Sequence, residues 1–378
     1  ETNLTIASYF NENIQPERLL RYLEASTGER IISGETLIIF DEIQSCERAL
    51  TSLKYFCEET PEFHIAAAGS LLGVAINRQH YSFPVGKVET ITLYPLDFEE
   101  YLWARGKEFL SEEIRAAYDA MEPLPDALHQ EAIELYREYL IIGGMPACIN
   151  AFLKSGSFLD VPLVQNEILD NYIADMAKYA SNTDSVKIRA CYNSIPAQLA
   201  KDNKKFQYKV VQKGGSATLF GASIEWLNLA GVVLKCQRIS QAFEPIAVYA
   251  DLSAFKLYMG DVGLLTMKSG ISQQTVLSGE GNTFMGAVAE NYVAQQLAAK
   301  GYDLYYWESS STAELDFVLQ KGNQIIGIEV KKGEHVRSRS LSVFMSNYKP
   351  AYSIRLSLKN FGEKDELKAI PLYAVFCI

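Results

Sequence analysis

Leu37-Ile38-Ile39-Phe40-Asp41-Glu42 is the stretch on which the fold turns. Four consecutive apolar residues read as a strand buried on both faces, as in the centre of a parallel sheet, and two carboxylates stand at its end. Upstream, Pro16 at a helix-start position precedes Leu19, Leu20 and Leu23 at helical spacing, and Gly28 closes that helix. Downstream, a helical stretch from Glu47 to Glu59 leads to a second apolar strand, Phe63 to Ala68, which ends at Gly69-Ser70. Strand, helix and strand follow the rhythm of a parallel α/β sheet, and Val88 to Leu93 alternates as a third strand.

Ligands of parallel sheets bind at the carboxyl ends of the strands, which is where Asp41 and Glu42 emerge. The pair has the Walker B form: Asp41 can hold hydrated Mg²⁺, and Glu42 can polarise the attacking water. Ser70, at the end of the next strand, can orient that water or sense the terminal phosphate of ATP. Asp41, Glu42 and Ser70 are therefore the candidate nucleotide-binding residues, with Glu42 catalytic and Asp41 a metal ligand. A strand that simply runs out into a solvated turn is the alternative. No GxxxxGK[ST] loop accompanies the pair, and no buried strand leads into Lys213-Gly214-Gly215. In this architecture the phosphate loop precedes the Walker B strand, so it is expected upstream of Glu1. The chain, which starts without methionine, then reads as a fragment or processed product, expected to be inactive as an ATPase on its own.

With 378 residues the chain is long enough for two or three domains. No uninterrupted apolar run approaches the roughly 18 residues of a membrane span, and no leader stands at the start, so a membrane or secreted protein is not expected. The six cysteines lie far apart without a CxxC pair, which points to the reducing cytoplasm. The four histidines show no metal-ligand spacing. A net charge of −11 argues against nucleic acid until its distribution is read. Thirteen Asp/Glu against four Lys/Arg fall between Glu89 and Glu138, whereas Lys201 to Lys213 carries five lysines against one aspartate.

After Asp97 and Glu100, placed as a helix cap and its third-position acid, helices dominate. Ala127 to Ile142, a helix opened by Pro146, Val161 to Ala180 and Val186 to Lys201 precede a helix from Ser216 to Ala230 and a strand from Val232 to Ile239. Helix, basic connector, helix and strand resemble a winged helix-turn-helix. Lys204, Lys205 and Lys209, interleaved with Phe206 and Tyr208, are candidate phosphate-backbone contacts for DNA, with a solvated connector as the plainer reading.

From about Gly281 an amphipathic helix, Phe284 to Lys300, is followed by strands at Tyr302 to Trp307, Ala313 to Gln320, Gln324 to Lys331, Ala351 to Leu356 and Pro371 to Cys377. Pairing across the Lys321-Gly322-Asn323 turn brings Asp316 near Glu329, and Glu329 and Lys331 share a face. Asp316 and Glu329 as Mg²⁺ ligands, Lys331 as the catalytic cation and Glu290 completing the metal set would suit a nuclease. A surface hairpin with alternating charge is the alternative.

Leu37 to Gln44, Ala68-Gly69-Ser70, Tyr94 to Tyr101, Gly143-Gly144-Met145-Pro146 and Asp261-Val262-Gly263-Leu264-Leu265 together resemble the prokaryotic AAA-superfamily ATPases. Those carry a C-terminal domain of unknown function that resembles the PD-(D/E)XK nucleases. The resemblance implies an α/β protein in four parts. Residues 1–105 would be a truncated P-loop NTPase sheet of AAA type, 106–183 a helical extension, 184–280 a winged-helix-like region with linker strands, and 281–378 a PD-(D/E)XK-like domain. Gly86-Lys87 replaces the family's Gly-Arg, which weakens an arginine-finger role there. The expected activity is ATP hydrolysis with Mg²⁺, coupled to a nuclease-like half acting on DNA, in a chain that can oligomerise. The competing reading is an ATP-dependent switch that keeps the nuclease-like fold as a platform for a protein partner.

Overall fold

The computed structural model describes residues 4–69, 73, 84–279, 282–309, 313–331, 333 and 339–378. The chain divides into two compact units, Glu1–Leu93 and Tyr94–Ile378.

In the first unit α1 (Leu4–Glu12) and α2 (Pro16–Thr27) precede β1 (Leu37–Phe40), α3 (Glu47–Glu59) and β2 (His64–Ala67). Pro16 presets the first turn of α2, and Gly28 ends it in the left-handed conformation, its N–H returning to the Glu24 carbonyl. Phe10, Leu19, Leu20, Leu50 and Phe56 form a small core with Ile43, against which Ile38 and Phe40 pack. β1 and β2 pair in parallel, Leu37 opposite His64 through Phe40 opposite Ala67.

Burial on both faces does not hold for β1. Leu37 is 56% and Ile39 63% exposed, so one face of this two-stranded sheet is open among the described residues. The third strand expected at Val88 to Leu93 is absent: the segment carries no strand pairing, with Ile91 83% and Leu93 97% exposed. Alternation supplies one apolar face, but a strand also needs a neighbour to take up its N–H and C=O groups.

The second unit opens on a capping box, in which Asp97 accepts the Glu100 N–H at 2.9 Å and Glu100 accepts the Asp97 N–H at 2.8 Å. It starts α4 (Phe98–Ala104), whose Phe98 packs on Tyr136, Tyr139 and Tyr292. The division into compact units falls at Leu93/Tyr94, whereas the expected domain boundary follows residue 105. The helices α5 (Glu108–Ala120), α6 (Asp126–Ile142), α7 (Pro146–Ser155), α8 (Val161–Tyr179) and α9 (Asn182–Leu199) follow. The single turn α10 (Tyr208–Val211) and α11 (Ala217–Leu229) then lead to the hairpin β3 (Val233–Ile239) and β4 (Ala250–Met259). Beyond it come α12 (Val262–Ser269), α13 (Gln273–Ser278), α14 (Met285–Ala299), β5 (Tyr305–Glu308), β6 (Glu314–Lys321) and β7 (Gln324–Val330). The chain finishes with α15 (Arg339–Tyr348), β8 (Ser353–Ser357), β9 (Gly362–Lys364), β10 (Leu367–Pro371) and a 3₁₀ turn, Leu372–Cys377, where a strand was expected.

One eight-stranded sheet runs through this unit in the order β4-β3-β5-β6-β7-β8-β10-β9. β3 pairs antiparallel with β4 and parallel with β5, Gln237 opposite Tyr305. α9, the basic connector, α11 and a hairpin follow one another in the chain, and both hairpin strands belong to the large sheet. The boundary expected at residues 280/281 falls between α13 and α14, in a unit whose strands share this one sheet. α14 is also not amphipathic, because Ala287 to Ala298 are all buried. Its buried amides bond to the backbone: Asn291 to Met259, Gln295 to the Val262 N–H, and Gln296 to the Phe98 N–H.

The two glycine-bearing motifs meet in this unit. Asp261 caps α12 by accepting the Leu264 N–H at 2.9 Å, and its other oxygen accepts the Gly144 N–H at 2.6 Å. Gly143 has φ +77°, and a Cβ there would collide with the Asp261 carboxylate. A Cβ on Gly263 would lie 2.5 Å from the Gly143 nitrogen. These residues form a structural joint.

Candidate functional site

In the first unit the carboxyl ends of β1 and β2 are fastened together. The Phe40 carbonyl accepts the Ala68 N–H at 2.8 Å, and the Ala68 carbonyl accepts the Ile43 N–H at 3.0 Å. Between these two bonds the chain turns sharply, and Glu42 adopts φ +53°, a left-handed conformation that side chains other than Gly, Asn and Asp seldom take. Asp41 Oδ1 accepts the Glu42 N–H at 3.0 Å, and Glu42 Oε2 accepts a hydrogen bond from Gln44 Nε2 at 2.6 Å. Both carboxylates thus stand at one sheet edge, Glu42 held by its neighbour. Ser70 lies outside the described residues. A cleft of about 570 Å³ is lined by Leu50, Leu53 and Phe56 of α3, by Ile65 and Ala67 of β2, and by Val88 and Ile91.

In the second unit β6 and β7 form the expected hairpin, with Phe317 opposite Ile328 and Asp316 and Glu329 next along the two strands. Asp316 Oδ2 accepts the Val330 N–H at 2.8 Å. The four acidic and basic residues read as one site nevertheless divide. Glu329, 2% exposed, is paired with Lys331 at 3.0 Å and Arg355 at 3.7 Å. Glu290, on α14, instead receives Lys204, the Tyr258 hydroxyl at 3.3 Å and Lys256 at 3.8 Å. Lys256 is completely buried, lies 2.5 Å from Glu314 and stands over the Tyr306 ring, 4.9 Å from its centroid.

Among the described residues no three His, Cys, Asp or Glu side chains are grouped to hold a metal ion. Glu290 and Glu329 of the expected metal set are met by separate cationic side chains, Lys204 and Lys256 at the first and Lys331 and Arg355 at the second. Burial works against the charge of Lys256, but the carboxylates of Glu290, Glu314 and Asp316 hold its pKa above the ordinary value. Burial likewise works against the Glu290 carboxylate, and Lys256 with Lys204 outweighs it, holding Glu290 below the usual range. Burial and the neighbouring Glu290 push Asp316 up to about 7.

The basic connector is similarly committed. Lys204 binds Glu290, and Lys205 binds Glu308. Phe206 is buried against Phe255, at a centroid distance of 5.5 Å, and Lys209 alone of the three candidate DNA contacts is exposed. Lys256, Glu314 and Arg355 were not singled out from the sequence. The signal for Lys256 was available: it is the one charge in the otherwise apolar run Ala254 to Met259.

Residues 3–102 match the AAA domain, residues 133–275 a domain of unknown function (DUF8612), and residues 285–375 another domain of unknown function (DUF4143). The AAA domain match lies mainly in the first unit and continues past Tyr94 into the second. Two uncharacterized proteins, from Mycobacterium bovis and Mycobacterium tuberculosis, are each 38% identical over 79 residues. That is 20% of this chain and 18% of each relative, so the match spans under a fifth of their length. A solved structure, the Walker-type ATPase PABY2304 of Pyrococcus abyssi, aligns at 14% identity over 67% of this chain and 66% of its own, with a TM-score of 0.39. No helix among the described residues is long and apolar enough to cross a membrane.

Proposed function

We propose that the chain is the Walker B-bearing part of an AAA-type ATP hydrolase whose second unit serves as a binding platform and not as a nuclease. The observation that carries this reading is the shared carboxyl edge of β1 and β2, where Asp41 and Glu42 emerge within a segment matching the AAA domain. The carboxylate donors suit hydrated Mg²⁺, and Mg²⁺-bound ATP supplies the phosphoanhydride to be cleaved. Asp41 would hold the metal. Glu42, oriented by its left-handed backbone and by Gln44, would polarise the attacking water. Ser70 completes the proposed set.

The cleft beside β2 supports one further element. Strands pair at about 4.8 Å, and among the described residues β2 pairs with β1 alone, while Val88 and Ile91 line the same cleft as β2. A further parallel strand seated there would bring a glycine-rich phosphate loop to the edge that carries Asp41 and Glu42. For the complete protein, ATP turnover is the test: Glu42→Gln should lower kcat by about 10²–10⁴ while nucleotide affinity is retained. Residues 1–378 alone should bind ATP weakly. Undiminished turnover in Glu42→Gln, or tight ATP binding by residues 1–378, would overturn the reading.

The competing nuclease reading makes Glu290, Asp316 and Glu329 metal ligands and Lys331 the catalytic cation. Their separate ion pairs favour the platform instead. No divalent-dependent cleavage of DNA is expected, and Asp316→Ala should leave partner capture intact.

A further inference from the structure

Glu290 is already met by two cations of the chain itself, Lys204 and Lys256. Three carboxylates, on Glu290, Glu314 and Asp316, face two ammonium groups, Lys204 from the basic connector and Lys256 from β4. Lys256 is 0% exposed, and its head group lies between acidic side chains of α14 and β6 with the Tyr306 ring beneath it. An ammonium with so little water around it stays charged only where carboxylates and an aromatic face replace its hydration. A divalent ion brought to the same carboxylates would have to displace it into the protein interior or sit against it, and like charges in a water-poor site repel strongly. The metal set the sequence suggests therefore does not fit the side chains present.

We propose that the Lys256 ammonium is the resident cation of this cluster, taking the place a divalent metal would occupy, so that the second unit folds and works without a metal. Lys256 neutralises Glu290 and Glu314 directly and holds α14 against β4 and β6. The inference concerns the second unit alone, and its failure would leave the ATPase half of the proposed function untouched.

Mn²⁺ is the probe, followed by electron paramagnetic resonance of the free ion and by thermal melting. The unaltered chain should deplete no more Mn²⁺ than its Asp316→Asn variant, and its melting temperature should not respond to the metal. Lys256→Met should melt lower without metal, take up one Mn²⁺ and regain several degrees when it is added. That gain should disappear in Lys256→Met combined with Asp316→Asn. A variant that folds only when Mn²⁺ is present during refolding would also support the proposal. Uptake of one Mn²⁺ by the unaltered chain, lost in Asp316→Asn, would overturn it. So would a Lys256→Met chain that folds but binds no extra Mn²⁺, or that folds in neither buffer, because a metal should replace the lost ammonium.

Discussion

Adding one methyl group at Gly144 should destabilise the second unit, whereas the same addition at Gly221 should stabilise it. At Gly144 a Cβ would fall inside the contact distance of the Leu96 carbonyl oxygen and 2.8 Å from Tyr139 Oη. The Leu96 carbonyl belongs to the backbone and is itself held by the Tyr139 hydroxyl at 2.5 Å, so it cannot swing aside as a flexible side chain could. Relief requires the 94–97 segment to separate from the Gly143-Gly144 turn. That movement threatens the bond from the Leu96 N–H to the Gly144 carbonyl, at 2.8 Å, and the bond from the Gly144 N–H to Asp261, at 2.6 Å. Overpacking of about 1–3 kcal/mol and two weakened hydrogen bonds of about 1 kcal/mol each give an expected loss of about 3–5 kcal/mol. Against a domain stability of about 5–15 kcal/mol this is severe. Gly221 lies inside α11, where a Cβ meets nothing within 4 Å, so Gly221→Ala should gain about 0.5–1 kcal/mol from helix propensity. Urea unfolding followed by tryptophan fluorescence measures both, since Trp103, Trp226 and Trp307 all lie in the second unit. Equal effects of the two substitutions, or a loss under about 1 kcal/mol at Gly144, would refute the argument that these glycines form a joint.

Burial raises Asp261 from 3.8 to about 6. The native state therefore holds its proton more firmly than the unfolded chain, and stability should fall as pH rises from about 4 through 6, by up to about 3 kcal/mol. Urea midpoints against pH should show a shallower fall in Asp261→Asn, leaving the part that Asp316 extends to about 7. Cys57 is exposed, whereas burial pushes the thiols of Cys148 and Cys191 up to about 12, so a thiol reagent at pH 8 should label Cys57 first and these two only on unfolding. Lys204→Ala should cost roughly 1–3 kcal/mol in thermal or urea unfolding by stripping Glu290 of a partner. Lys209→Ala, at an exposed position, should stay within about 0.5 kcal/mol.

Local signals in the sequence were strong where the chain supplies its own partners. Pro16 and Gly28 mark a helix whose ends depend on those two residues, and the box formed by Asp97 and Glu100 closes on itself. β1, α3 and β2 could be read for the same reason. What escaped depends on partners distant in sequence. β4 escaped because Phe255 to Met259 shows no polar–apolar alternation, with Lys256 the one charge among apolar neighbours, although it pairs directly with β3. α14 looked amphipathic because Asn291, Gln295 and Gln296 count as polar, yet each is buried on a backbone group from another element. Val88 to Leu93 shows the opposite error, with correct periodicity but no described neighbour to make it a strand.

The candidate sites divide along the same line. Asp41 and Glu42 could be found because one strand end carries both, and bonds to Ala68 place them at the sheet edge. Glu290, Asp316, Glu329 and Lys331 could be found as charges on the right strands and helix, but the cation that decides their role could not. Lys256 reaches Glu290 and Glu314 from β4, separated from β6 by β3 and β5 in the sheet order, and Arg355 reaches Glu329 from β8 on the far side of β7. Two carboxylates and a lysine on a hairpin suit metal-dependent cleavage only if the neighbouring strands leave the carboxylates for a metal. Here those strands contribute a lysine and an arginine. On the proposed function the same acidic residues belong to a charge-compensated platform, and the hydrolytic chemistry is assigned to the carboxyl edge of β1 and β2.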